Sequence, residues 1–493
     1  MLFRGAGEPA NMLTGSEMGV VDENAAALGV PRKQLMESSG NAVARAVREA
    51  AAPGDTVEIV AGRGNNGGDA LVAARFLDGF DVEVTLLGHP ERITTDIARQ
   101  NWAALVAAEL DRQTVSDSGD VDLGDPDVVV DAMLGTGISG ELREPERTAA
   151  AAMNEADATV LSVDVPSGLD AETGELAETA VVPDRVVTFH DLKPGLDDLA
   201  ADVTVADIGI PEAAEFFVER GDLSRLDRRD PESHKGENGE VLVIGGGPYA
   251  GAPALSAKAA LRAGADLVRV ACPMVVGREL QGYSEDLIVK PYRGKQLEPK
   301  RVGFLLEMAR RHDAIVLGPG LGDAEPTMEA VEGILSGYAG TAVVDADALA
   351  RVPAVDTQAT LVCTPHQGEL VDMGGRTSED WRERADLVES FAADLGHVVL
   401  TKGKYDVISD GERTRVSRTG NPGMTVGGTG DVLAGITGAF AATQEPFDAA
   451  AMAAYVNGRA GDRVVEERGM GLVATDLHDE IPRVCWSERG DDA

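Results

Sequence analysis

Lysine is almost missing from this 493-residue chain. It stands at nine positions (Lys33, Lys193, Lys235, Lys258, Lys290, Lys295, Lys300, Lys402 and Lys404), so most of the 44 basic residues are arginine. They face 84 acidic residues, and the formal net charge is -40. Aromatic residues make up only 4% of the chain. No basic patch offers itself to a phosphate backbone, so nucleic acid is not an expected partner. No apolar run is long enough to span a bilayer, so no membrane partner is expected either. The opening Met1-Leu2-Phe3-Arg4-Gly5-Ala6-Gly7-Glu8 lacks the basic-then-apolar order of a secretion signal. The three cysteines, Cys272, Cys363 and Cys485, are scattered, odd in number and without metal-ligand spacing. They argue for a reducing cytoplasm and against structural disulfides. The acidic residues are dispersed rather than gathered in a tail, and such a surface stays soluble where salt screens its self-repulsion. A halophilic protein of a salt-rich cytoplasm is therefore expected. Its melting temperature should rise with KCl concentration, and full stability at low ionic strength would count against this.

What is present is apolar sequence in short, regular pieces. Hydrophobic content is 43%, and the length calls for more than one core. In the first half, strands are expected at Thr56–Val60, Val82–Leu87, Val128–Ala132, Thr159–Val163 and Arg185–Phe189. Helices are expected between them at Ala70–Leu77, Ile97–Ala108 and Glu146–Glu155. Near-continuous Val/Ile/Leu strands alternating with helices indicate an α/β domain, with a parallel sheet covered on both faces. The stretch Asp222–Pro231 reads as a linker, which gives domains 1–222 and 223–493. The pattern then restarts with strands at Val241–Ile244, Leu267–Val270, Ala314–Leu317, Ala342–Val344, Thr360–Val362 and Val398–Thr401, and a hairpin turned at Asp410-Gly411. Helices are expected at Ala252–Ala263, Arg301–Arg310, Asp380–Leu395, Val432–Ala442 and Phe447–Glu466. No short repeat is present. The fold class is two three-layer α/β domains in tandem.

The most informative run is Thr425-Val426-Gly427-Gly428-Thr429-Gly430-Asp431, between Asn421-Pro422-Gly423-Met424 and Val432-Leu433-Ala434-Gly435. Glycines and a threonine before an apolar helical stretch make a helix N-terminus with bare N–H groups, a site for phosphate. A carboxylate beside such a nest is electrostatically misplaced unless it takes a proton from a substrate hydroxyl, so Asp431 is the candidate base.

In the first half, strand Thr56–Val60 runs into Gly62-Arg63-Gly64-Asn65-Asn66-Gly67-Gly68-Asp69. A glycine-rich turn after a first parallel strand is where dinucleotide phosphates sit. The asparagines add groups able to hold a cation or a ribose, and Asp69 either caps the helix or orders a ligand. Two further strand ends, Asp131-Ala132-Met133-Leu134-Gly135-Thr136-Gly137 and Asp164-Val165-Pro166-Ser167-Gly168, should converge on the same crevice. Asn66, Asp131 and Ser167 are positioned to surround one monovalent cation, with Asp164 facing the ligand; each alone also suits a turn or cap.

With Met36-Glu37, GNNGGD, DAxLGTG and DxPSG in order, the half up to about Arg220 resembles the NAD(P)H-hydrate epimerase family, with a Rossmann-like fold. It departs at Ser39, where the family has alanine, and at Ala70, often glycine. The resemblance implies that Asn65, Asn66, Gly67, Gly68 and Asp69 contact a hydrated dinucleotide, together with Gly135, Thr136, Gly137, Ile138, Ser139, Gly140 and Glu141. It further implies potassium on Asn66, Asp131 and Ser167, and Asp164 at the nicotinamide as the acid/base group. The family interconverts the R and S hydrates of NADH and NADPH.

The second half carries His234-Lys235-Gly236, Gly245-Gly246-Gly247, Tyr249, Gly251-Ala252-Pro253, Gly318-Pro319-Gly320-Leu321-Gly322, Asp345-Ala346-Asp347, Thr364-Pro365-His366-Gln367-Gly368-Glu369 and Lys402-Gly403 before the GGTGD turn. Singly these are weak: His366 reads as structural or as a ligand, Glu369 as a cap, Lys402 as a solvated charge, Tyr249 as packing or stacking. As a series from about Leu226 they resemble the ribokinase-like superfamily and, within it, the ADP-dependent NAD(P)H-hydrate dehydratases. That resemblance implies ADP on Lys402, Gly403, Lys404, Tyr405, Asp406 and Gly430. It places the hydrate on Ala252, Gly320, His366 and Asp431. Phosphorylation turns a poor hydroxide leaving group into phosphate, and elimination restores the dihydropyridine. Magnesium is expected on the nucleotide phosphates, although no carboxylate cage is visible. A homo-oligomer acting only on small molecules is the expected form. The competing reading is a small-alcohol kinase fused to a dinucleotide sensor.

Overall fold

Strands buried on both faces and joined by helices leave few ways to pack, and both halves take the doubly wound one. The computed structural model describes residues 12–137, 139–226 and 229–487. The described residues through Glu212 form one compact unit and those from Ala213 another.

The first unit runs α1 (Gly15–Ala27), α2 (Arg32–Ala50), β1 (Thr56–Ala61), α3 (Asn65–Phe76), β2 (Asp81–Leu87), α4 (Asp96–Ala107), β3 (Arg112–Val115), β4 (Val128–Ala132), α5 (Glu146–Glu155), β5 (Thr159–Val163), β6 (Arg185–Phe189) and β7 (Asp202–Ala206). Its seven strands are parallel in the order β3-β2-β1-β4-β5-β6-β7. The order reverses between β1 and β4, which opens a crevice at their carboxyl ends. The GNNGGD run is not a turn ahead of a helix beginning at Ala70. Helix α3 already starts at Asn65, capped by Gly64, so Asp69 is an interior residue and not its cap. Close packing overrides the poor helix propensity of the glycines: a side chain on Gly67 would lie 2.1 Å from the Gly62 carbonyl oxygen.

The second unit holds α6 (Ala213–Phe216), β8 (Glu240–Ile244), α7 (Gly251–Arg262), β9 (Leu267–Pro273), α8 (Gly277–Tyr283), β10 (Ile288–Tyr292), α9 (Val302–Ala309), β11 (Ala314–Leu317), α10 (Glu325–Gly337), β12 (Thr341–Val344), β13 (Thr360–Cys363), α11 (Gln367–Asp372), α12 (Trp381–Leu395), β14 (Val398–Thr401), β15 (Asp406–Ser409), β16 (Thr414–Ser417), α13 (Thr429–Phe440), α14 (Pro446–Arg468) and α15 (Leu477–Ser487). The nine-stranded order is β10-β9-β8-β11-β12-β13-β14-β15-β16, parallel until the antiparallel β14-β15-β16 ribbon. Here the reversal falls between β8 and β11. Apolar layers cover both faces, with α7, α13 and α14 on one and α9 and α10 on the other.

The expected linker starts inside folded structure. Phe216 and Phe217 pack against Trp381, and the Val218 amide donates to the Val416 carbonyl at 2.9 Å. Asp222, the first residue of the expected linker, is buried and ion-pairs with Arg415 at 2.9 Å. Among the described residues no helix is long and apolar enough to cross a membrane.

Candidate functional sites

In the first unit the β1 and β4 ends nearly touch. The Gly62 amide donates to the Ala132 carbonyl at 2.9 Å, and a side chain on Gly62 would fall 1.8 Å from the Met133 carbonyl oxygen, so only glycine fits. Helix α3 begins just beyond, and its Asn66 donates its amide N–H to the Leu134 carbonyl at 2.6 Å. The Asn66 Oδ1 is buried without a hydrogen-bond partner. Asp131, at 0% exposure, accepts from the Ser167 hydroxyl at 2.6 Å, the Ser162 hydroxyl at 2.8 Å and the Ser167 amide at 2.8 Å. Burial raises its pKa, and the serine donors offset part of that. The Leu134 amide donates to the Ser167 Oγ at 3.1 Å. Asn66, Asp131 and Ser167 therefore meet around the backbone of residue 134, with one orphaned oxygen among them.

Asp164 follows β5 directly, in the left-handed conformation at φ +63°. Its carboxylate accepts from the Thr188 hydroxyl at 3.1 Å and pairs with the Lys193 ammonium at 2.8 Å. Asp69 and Asp22 share its electrostatic field. Burial, then the charges of Asp164 and Asp22, push Asp69 well above the usual carboxylate range. Burial also lifts Asp22, on α1, to about 6 against the pull of Arg32. In the Gly135–Glu141 segment Ile138 lies outside the described residues. Glu141 accepts from the Glu178 amide at 3.2 Å.

In the second unit Gly428, at φ +101°, is the N-cap of α13 and supplies no side-chain cap, so the first-turn N–H groups stay open. Asp431 lies in that first turn, and the Ser256 hydroxyl of α7 donates to its carbonyl at 2.8 Å. Burial and the nearby Asp345 push the Asp431 carboxyl up to about 7, with Lys402 opposing. Lys402, at the end of β14, donates to Asp345 at 2.9 Å and lies 3.9 Å from Glu369. Burial alone would lower the Lys402 pKa, but the Asp345 and Glu369 carboxylates outweigh it and hold the pKa above its ordinary value. A side chain on Gly430 would meet the Lys402 ammonium at 3.3 Å, so this cation stands against the GGTGD turn. Asp345 is buried and also accepts from Thr364 at 2.8 Å.

His366 and Glu369 close a capping box on α11, the Glu369 amide donating to the His366 ring at 3.0 Å. His366 also bridges Lys402 through the backbone, so cap and neighbour of the cation are the same residue. The segment from Lys402 to Asp406 is folded by the Gly403 amide donating to Asp406 at 2.8 Å. Burial lifts the Asp406 carboxyl to about 7, against that hydrogen bond. Tyr405 stacks on Trp381 with ring centroids 5.3 Å apart. Buried Arg384 donates to the Tyr405 carbonyl at 3.0 Å. Ala252 lies in the first turn of α7, and Gly320 is packed beneath the Tyr249 backbone beside Pro253.

Asp22 and Lys193 were not read as site residues, and Asp345, part of a strand-end motif, was not read as the partner of Lys402. Lysine scarcity was the available signal for Lys193, as it was for Lys402.

Known proteins match along nearly the whole chain. A family described as YjeF-related protein N-terminus matches residues 32–195, and one described as NAD(P)H-hydrate dehydratase matches residues 241–483. The chain is 45% identical over 490 residues to the bifunctional NAD(P)H-hydrate repair enzyme Nnr of Methanothermobacter thermautotrophicus, covering 95% of this chain and 94% of that one. It is 44% identical over 497 residues to the enzyme of the same name from Pyrobaculum aerophilum, covering 96% and 97%. The crystal structure of the ADP/ATP-dependent NAD(P)H-hydrate dehydratase from Bacillus subtilis, co-crystallised with ATP and Mg2+, aligns with a TM-score of 0.50 at 28% identity over 56% of this chain and 98% of that one.

Proposed function

The chain belongs to the bifunctional NAD(P)H-hydrate repair enzymes, and from that membership we propose that its first unit epimerises the R and S hydrates of NADH and NADPH while its second dehydrates the S form with ADP. The observation that carries the dehydratase reading is Asp431, in the open first turn of α13 with Lys402 standing against that turn. Asp431 takes the proton of the substrate hydroxyl as the β-phosphoryl group of ADP arrives. The amides of Thr429 and Gly430 and the Lys402 ammonium steady the charge on the moving group. AMP leaves. Elimination then expels phosphate and restores the dihydropyridine. The Lys402–Asp406 segment receives the nucleotide, and Ala252, Gly320 and His366 border the hydrate.

Among the described residues no three His, Cys, Asp or Glu side chains gather to hold a metal. Magnesium would come with the nucleotide phosphates rather than sit in a protein cage. Potassium does fit the first unit. The partnerless Asn66 oxygen, the Asp131 carboxylate and the Ser167 hydroxyl are hard oxygen donors, and a cation there would neutralise the buried Asp131. Asp164 would be the acid/base group at the hydrated ring.

The test uses full-length protein, mixed hydrate, magnesium and ADP or ATP, with initial rates read from NADH absorbance. With potassium both epimers should be consumed. Replacing it by sodium should slow the R form alone. R hydrate left at the spontaneous rate in potassium would remove the epimerase, and a stable phosphorylated product found by mass spectrometry would replace dehydration by a kinase reaction.

A further inference from the structure

Strands β5 and β6 lie side by side, and the residue after each, Asp164 and His190, is left-handed at φ +63° and φ +64°. Two non-glycine residues held so at adjacent strand ends are strained and persist where the surroundings impose them. The bends bring together an ion pair that is buried on its lysine side and half-buried on its aspartate side. Lys193 is 1% exposed and spends its three N–H donors on Asp164 at 2.8 Å, the Phe189 carbonyl at 2.8 Å and the Asp191 carbonyl at 3.3 Å. Burying an ammonium is expensive unless every proton is taken, and here every proton is taken, one by the candidate base.

We propose that Lys193 is a positioning residue of the epimerase site, orienting the Asp164 carboxylate; this rests on the epimerase reading of the first unit. The groups around the pair show why a cation is needed. Thr188 reaches Asp164 from β6. Asp69 on α3 and Asp22 on α1 are both coupled to Asp164 and to Lys193, and Arg32 on α2 and His190 both pull Asp22 the other way. Without Lys193, the Asp164 carboxylate would keep the Thr188 hydroxyl but lose the buried cation that aims it.

Full-length Lys193→Met and Lys193→Arg decide the matter. The readout is kcat and KM of R-to-S exchange, with dehydration of the pure S hydrate by the second unit as the control in each sample. Lys193→Met should lose roughly 10²-fold in kcat with KM for the R hydrate little changed. Lys193→Arg, which keeps the charge but alters the reach, should recover part of that loss and stay roughly tenfold below wild type. A loss carried by KM alone, or an unchanged kcat in Lys193→Met, would overturn the role. If that variant does not fold, an unchanged kcat in Lys193→Arg overturns it. Wild-type exchange no faster than the spontaneous rate sinks the epimerase reading, and Lys193 with it. A fast wild type matched by Lys193→Met sinks only the lysine.

Discussion

Asp431→Asn should lower kcat/KM for ADP-dependent dehydration by ~10²–10⁴-fold, the range for removal of a general base. The amide keeps the shape of the first turn of α13 and the Ser256 bond to the residue 431 carbonyl, so geometry survives and proton acceptance does not. The wild-type carboxyl, lifted to about 7 by burial and then by Asp345, sets a further expectation. Only its ionised form accepts a proton, so wild-type kcat/KM should rise through an acidic limb centred near pH 7 and level off above it. The same shift acts on stability in the opposite sense. A carboxyl whose folded pKa exceeds its unfolded value of about 4 holds a proton that the unfolded chain has already lost. Stability therefore falls as pH rises from about 4 to about 7, and the penalty persists above that. Asparagine removes the penalty. Asp431→Asn should accordingly melt higher than wild type at pH 8, and no higher at pH 4, while being nearly inactive. Near-wild-type dehydration, or a lower melting temperature at pH 8, would refute the assignment of a strained base.

How much of this was legible without coordinates depends on where each residue lies in the fold. Central strands β1, β4, β8, β11 and β12 are buried on both faces and announce themselves as apolar runs. Edge strands do not: β3 and β7 are exposed or half-buried except at their last residue, and β10 contains Pro291, a residue that an edge strand tolerates and a central one rejects. The GGTGD turn was readable because a phosphate nest is made by consecutive residues. The GNNGGD run was readable as a crevice but not as a helix, since what keeps Gly67 and Gly68 helical is their contact with Gly62 and Met36, which local propensity cannot express. Lys193 with Asp164, and Asp345 with Lys402, are pairs between different strand ends. Each partner in isolation is an ordinary charge, and only the sheet order brings the two together with one member buried.

The Asp345–Lys402 pair carries the second large effect. Asp345→Asn should destabilise the second unit by about 3–5 kcal/mol, the cost of leaving one partner of a buried pair uncompensated. For a unit of this size that lowers its melting temperature by roughly 6–20 °C. Asp345 is 3% exposed, and its Oδ1 takes both the Lys402 ammonium and the Thr364 hydroxyl, so an amide cannot replace the charge. Its neighbour Glu369 lies 3.9 Å from the ammonium and is engaged in capping α11, which leaves it poorly placed to take over. Lys402 should then turn toward Asp431, another carboxylate in its field. The acidic limb of the dehydration profile should move to lower pH, and the KM for ADP should rise as the cation leaves its place at Gly430. The double variant Asp345→Asn/Lys402→Met separates pair from fold: with the orphaned charge gone it should recover much of the lost stability while ADP binding stays weak. A single variant that melts with the wild type would show that the pair is not what holds Lys402. A double variant no more stable than Asp345→Asn would show that the loss comes from the Thr364 bond and the β12 end rather than from an unpaired ammonium.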